Sequence, residues 1–172
     1  MLKSIGYEPH KVFNPKIEEK VHDEETPQKY VTRLAEEKAR SALSINNNSY
    51  IIGADTIVFL GNKIIGKPNS YNDAFDILNK LSGNRHRVFG GICVISPNLK
   101  VVKRVIVTRV KFRFISESEI KNYLIKNEWK DKAGGYAIQG YAAKFVQHIN
   151  GNYDNVKGLS LVDFDSIIKG IK

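Results

Sequence analysis

With 172 residues, 42% of them hydrophobic and 26% charged, the chain is long enough for one sizeable core and short for two independent domains. No apolar run reaches the roughly 18 residues of a membrane span, and the opening MLKSIGYEPHK has no signal-peptide core, so neither a span nor a secretory leader is expected. A net charge of +9 calls for an anionic partner without naming it, and the single Cys93 excludes an internal disulfide and the usual cysteine zinc sites.

Along the chain, Lys16–Glu25 (KIEEKVHDEE) is a charged loop leading into a helix. Thr26-Pro27 supplies an N-cap and a proline for the first helical position. The helix should run to about Leu43, with Val31, Leu34, Ala35, Ala39 and Ala42 as its apolar stripe. Lys38 lies beside that stripe, so its ammonium must either snorkel to solvent or meet negative charge. Tyr50–Phe59 (YIIGADTIVF) has the β-branched, nearly unbroken apolar composition of a strand covered on both faces. The turn Leu60-Gly61-Asn62 returns it as a short strand over residues 63–66.

A second helix is expected from Asn72 as N-cap, with Ala74, Ile77, Leu78 and Leu81 on one face and Gly83 ending it. Strands over 86–96 and 100–114 flank the turn Pro97-Asn98. Within the second, KRVIVTRVKFR alternates charged and apolar residues as a half-buried strand does. Ser116 and Glu119 form a capping-box pattern for a helix to about Lys126. A glycine-studded segment, a strand near 143–149 and a short helix near 163–171 complete the chain. Helices alternating with hairpins predict an α/β domain over 1–172 whose sheet is mixed and not purely parallel.

Asp55 is the most informative residue: a carboxylate inside a segment built for burial costs several kcal/mol unless something compensates it. A cation or metal would do so; backbone amides would serve a purely structural carboxylate. Lys67, in Gly66-Lys67-Pro68, lies just past the hairpin return, though alone it reads as a surface lysine. DKAGGYAIQG (131–140) has the glycines of a backbone that approaches a ligand, and Gln139 offers the donor and acceptor that reading a nucleobase edge requires. Glu18-Glu19 alone reads as solvated charge. His10, His22, His86 and His148 have no partners at ligand spacing and are read as non-catalytic; no Walker A, HExxH or GxGxxG pattern is present.

Taken in order, these segments resemble the Maf family of nucleotide pyrophosphatases. The matching runs are Arg33-Leu34-Ala35 with Lys38-Ala39, Gly53-Ala54-Asp55-Thr56, Gly66-Lys67-Pro68, and Leu81-Ser82-Gly83 with His86. Thr108–Phe112, Asp131–Gly140 and Gly151-Asn152-Tyr153 with Asn155-Val156 and Gly158-Leu159 continue the match to the end. The run DKAGGYAIQG is similar to the branch acting on dTTP and UTP.

The resemblance implies an α/β fold with a mixed central sheet, flanking helices and two lobes around a cleft, like the inosine-triphosphate pyrophosphatases. It implies Asp55 as catalytic base, Glu19 as second acidic residue, and Lys38 and Lys67 as phosphate-facing lysines. It also implies base selection by Thr56 and Gln139, with Lys132 a further substrate contact, and a divalent metal, Mg2+ or Mn2+, on Asp55 and Glu19. A cytoplasmic, homodimeric enzyme that cleaves nucleoside triphosphates to monophosphate and pyrophosphate follows as the expectation. Neither a nucleic acid nor a membrane is expected as partner. Nothing here matches the family's N-terminal Ser-x-Ser-Pro-Arg-Arg loop, so a truncated, weakly active enzyme is expected, with a non-catalytic nucleotide-binding relative as the alternative. A nucleic-acid-binding β module, prompted by the charge, finds no RNA-binding aromatic motif in its support.

Overall fold

The computed structural model describes residues 1–43 and 48–171, and among them are five strands and five α-helices. The strands are β1 (Ile51–Leu60), β2 (Lys63–Ile65), β3 (Arg85–Ile95), β4 (Val101–Phe112) and β5 (Val146–Asn150); the helices are α1 (Pro27–Ser41), α2 (Tyr71–Leu81), α3 (Glu117–Leu124), α4 (Tyr153–Lys157) and α5 (Leu161–Gly170). One sheet has the order β2-β1-β3-β4-β5, with β1/β2 and β4/β5 antiparallel. The α/β class and both hairpins are as expected. Two details differ: Ser70, not Asn72, caps α2, its side chain accepting from the Asp73 amide, and the short helix α4 was not anticipated. Among the described residues no helix is long and apolar enough to cross a membrane.

Contacts divide the chain into two interleaved units: Met1–Asp55, Gly90–Ile106 and Gly158–Lys172 in the first, Thr56–Phe89 and Val107–Lys157 in the second. In the first, Thr26 caps α1 by accepting from the Lys29 amide at 3.3 Å, and Pro27 occupies a position whose N–H would have no helical partner. Val31, Leu34, Ala35 and Ala39 of α1 are buried, and the helix backbone faces two glycines. A Cβ on Gly53 of β1 would stand 2.0 Å from the Ala35 carbonyl oxygen, and one on Gly91 of β3 2.4 Å from that of Val31. Backbone therefore packs on backbone, which fixes the distance of α1 from both strands. Phe164, Ile167 and Ile171 pack with Ile92 and Val94. Tyr7 meets Phe164 edge-on at 5.1 Å and donates to Asp165 at 2.8 Å, tying the first residues to α5.

In the second unit, α2 and α3 share a core with Phe112, Tyr136 and Phe145. The capping box of α3 is complete, Ser116 and Glu119 each serving the other's backbone amide. β4 behaves as its alternation predicts near its end: Thr108, Val110 and Phe112 are buried, while Val107 and Arg109 are exposed.

Candidate active site

β1 carries Asp55 on the same face as Gly53, since side chains two apart in a strand share a face. That face meets α1, where Lys38 stands one residue from Ala39. Asp55 is buried and accepts a short hydrogen bond from the Lys38 ammonium. The same ammonium donates to Glu19 Oε1 at 2.9 Å. Lys38 therefore takes the second course open to it in the sequence: it meets charge. Burial alone pushes its pKa down, and the hydrogen bond and charge of Asp55, followed by those of Glu19, outweigh that and leave it above the ordinary lysine value. The ammonium stays charged, which compensates the buried carboxylate of Asp55.

Lys38 also lines a cavity of about 970 Å³ in this unit, with His10, Lys11, Tyr50, Gly53 and Ala54 among its other walls. That volume is in the range of small-molecule sites.

The loop holding Glu19 is pinned to α1. Tyr30 donates its hydroxyl to the Glu19 carbonyl at 3.0 Å. Arg33 donates to the Lys20 carbonyl at 2.9 Å and grips both oxygens of Glu25 at 2.8 Å each. The forked hydrogen bond from Arg33, with a smaller contribution from the His22 amide and against the effect of burial, lowers the Glu25 carboxyl from its ordinary 4.5 to about 2. The folded value lies below the unfolded one, so the stabilisation is complete above about pH 4.5 and is lost as pH falls toward about 2. In Glu25→Gln the urea midpoint should accordingly depend less on pH between 4.5 and 2 than in the parent. Parallel acid limbs in the two proteins would dissolve this assignment.

The other expected site residues belong to the second unit. Thr56 follows Asp55 and, by strand alternation, projects from the opposite face of β1. Lys67, Lys132 and Gln139 are exposed. Their loops are joined: the Gly134 amide donates to the Gly66 carbonyl at 3.0 Å. Positive φ at Gly134 (70°) and Gly135 (68°) explains the glycine pair, which turns the chain where other residues would be strained. His86 anchors the same loop, its Nε2 hydrogen-bonded to Tyr136 Oη at 2.8 Å. Burial lowers its pKa to about 4, so its imidazole is neutral, and its ring packs edge-on against Phe112 and Tyr136.

Asp55, Glu19 and Lys38 are thus brought together in one unit, and Lys67, Lys132 and Gln139 stand on loops of the other, of which those of Lys67 and Lys132 are hydrogen-bonded. Glu18 is exposed. Sequence reasoning missed Tyr30, Arg33 and Glu25 as the holders of Glu19. Of the partners of Arg33, Glu37 is the one whose (i, i+4) spacing a sequence can signal, and the pair forms at 3.2 Å.

Comparison with known proteins points the same way. A family model described as Maf-like protein matches residues 1–171. A protein of Acinetobacter baylyi named dTTP/UTP pyrophosphatase is 44% identical over 172 residues, covering 100% of this chain and 93% of its own. One of Rhizobium johnstonii with the same name is 38% identical over 176 residues, 99% of this chain and 85% of its own. One of Anaplasma marginale, named nucleoside triphosphate pyrophosphatase, is 37% identical over 161 residues, 94% and 82% respectively.

Proposed function

The chain belongs to the Maf-like protein family, and on that premise we propose that it hydrolyses nucleoside triphosphates, dTTP and UTP first, to monophosphate and pyrophosphate. The observation that carries the chemistry is the Lys38 ammonium held by two carboxylates, one of them buried, beside a cavity of ligand size.

Water attacks the α-phosphorus, the bond from that phosphorus to the oxygen bridging to the β-phosphorus breaks, and pyrophosphate leaves with that oxygen. Asp55 is the group in the first unit suited to take the proton of the attacking water, being buried and paired with a cation that fixes its orientation. Lys38 neutralises charge on the leaving phosphates. In the second unit, Lys67 and Lys132 supply further positive charge, and Thr56 and Gln139 read the base.

Two carboxylates are hard oxygen donors and fit a magnesium or manganese ion, which characteristically takes one or two protein carboxylates and completes its shell with phosphate and water. Asp55 and Glu19 would hold it, and it would supply Lewis-acid polarisation of the phosphate and a more acidic water. We read the enzyme as a cytoplasmic homodimer without nucleic-acid or membrane partners, on family membership and the single cysteine.

The test is turnover of dTTP, UTP, ATP and GTP, with products resolved by ion exchange. The pyrimidine nucleotides should be cleaved in preference, giving monophosphate and pyrophosphate. Diphosphate and orthophosphate as products would put the reaction class in error, and a purine preference the base selection. Saturable UTP binding without pyrophosphate release would establish a binding protein instead.

A further inference from the structure

Arg33 and Tyr30 touch no side chain to which the reaction has been assigned, yet both reach from α1 to two successive backbone carbonyls at one catalytic carboxylate. Tyr30 Oη donates to the carbonyl of Glu19 and Arg33 Nη2 to that of Lys20, the next residue. Their positions, 30 and 33, are one turn apart, so the two bonds leave the same face of the helix. Lys38, two turns beyond Tyr30, meets the Glu19 side chain itself.

We infer that Tyr30 and Arg33 are positioning residues which, with Glu25, hold the Glu19 carboxylate in register with Asp55 and Lys38. This rests on the reading of Glu19 as a catalytic carboxylate.

Three features make the clamp stiff. The guanidinium of Arg33 lies over the Tyr30 ring at 5.4 Å, so the two donors brace one another. Its Nε and Nη2 take the two oxygens of Glu25, leaving the plane of the fork fixed before Nη2 reaches the Lys20 carbonyl. Glu25 in turn precedes the N-cap Thr26, so the far end of the loop is anchored to the helix start. Without the clamp, Glu19 would belong to the exposed loop 16–22, whose described residues form no regular element. A loop carboxylate is a poor cation or proton ligand unless its backbone is held, because small misplacements at a reacting centre cost large factors in rate.

A double-mutant cycle in kcat for dTTP tests the inference. Tyr30→Phe removes only the hydroxyl, and Arg33→Lys keeps the charge but loses the fork. Each should lower kcat ~3- to 30-fold with KM little changed, well below its melting temperature. In a Glu19→Gln background the same substitutions should cost less than ~2-fold further, since they act through Glu19. Full turnover in both single variants, or losses that add undiminished to that of Glu19→Gln, overturns the positioning role. An unchanged kcat in Glu19→Gln alone removes the catalytic role of Glu19 and the inference with it. If the parent turns over no nucleotide, the enzyme reading fails separately. Amide hydrogen exchange of residues 19–25 then reads the clamp directly: it should quicken in both variants while that of β1 holds, and unchanged exchange overturns the clamp.

Discussion

Asp55→Asn lowers kcat for dTTP by ~10²-fold or more, the scale of a lost general base. The substitution is isosteric, so it tests charge without making a cavity. The Asp55 side chain is 8% exposed and hydrogen-bonded to Lys38. The amide can still accept that hydrogen bond, but it cannot take a proton from water, and the half-buried ammonium keeps its ion pair with Glu19. Secondary structure by circular dichroism should be unchanged. The melting temperature should fall only modestly, because Lys38 retains Glu19 and can turn toward the cavity it lines. Near parental turnover in the folded Asn variant would sink the assignment of Asp55 as base. A collapse of stability without loss of kcat per folded molecule would make it a structural carboxylate, the other role open to a buried, paired aspartate.

The sequence made Asp55 visible because burial and charge conflict locally, within one strand, and the conflict needs no tertiary knowledge to notice. Lys38 was half visible. Its place beside an apolar stripe demanded either solvent or an anion, and only the packing of α1 on Gly53 decides for the anion. Secondary structure was legible for the same local reason: Thr26-Pro27, the Ser116/Glu119 box and the turn at Leu60–Asn62 are short-range signals, and each appears where the spacing put it. The cap of α2 lies two residues before the expected Asn72: both are good cap residues, and it is the Ser70 hydroxyl that accepts from the amide three positions on, at Asp73. The Tyr30–Arg33–Glu25 clamp was not legible. Its partners are backbone carbonyls of an irregular loop, and no pattern of residue types specifies where such a loop runs. Glu19 looked like solvated charge for that reason, and only the ordered resemblance to a family lifted it above that reading.

Gly53→Ala should be the most damaging small substitution in the first unit. An added methyl would lie 2.0 Å from the Ala35 carbonyl oxygen, 2.6 Å from the Ala39 amide nitrogen and 2.9 Å from the Ala39 Cβ. The first two are backbone atoms of a hydrogen-bonded helix, so no rotamer change can relieve them. α1 must move away from β1 by an ångström or so, and the buried side chains Val31, Leu34, Ala35 and Ala39 lose their close packing together. Overpacking of this kind costs ~1–3 kcal/mol where neighbours can yield; with backbone on both sides about 3 kcal/mol or more is expected. At a slope of about 2 kcal/mol per molar urea, the midpoint should fall by ~1.5 M with the slope unchanged. The displacement also carries Lys38 away from Asp55, so whatever protein remains folded should show a lower kcat as well. Gly61→Ala is the comparison: its φ of 59° strains any side chain, but nothing lies within 4 Å of the added atom. That variant should lose only about 1 kcal/mol, from the backbone alone, with turnover intact. If Gly53→Ala loses no more stability than Gly61→Ala and keeps its kcat, then α1 yields freely, and the close approach of helix to strand is not what brings Lys38 to Asp55.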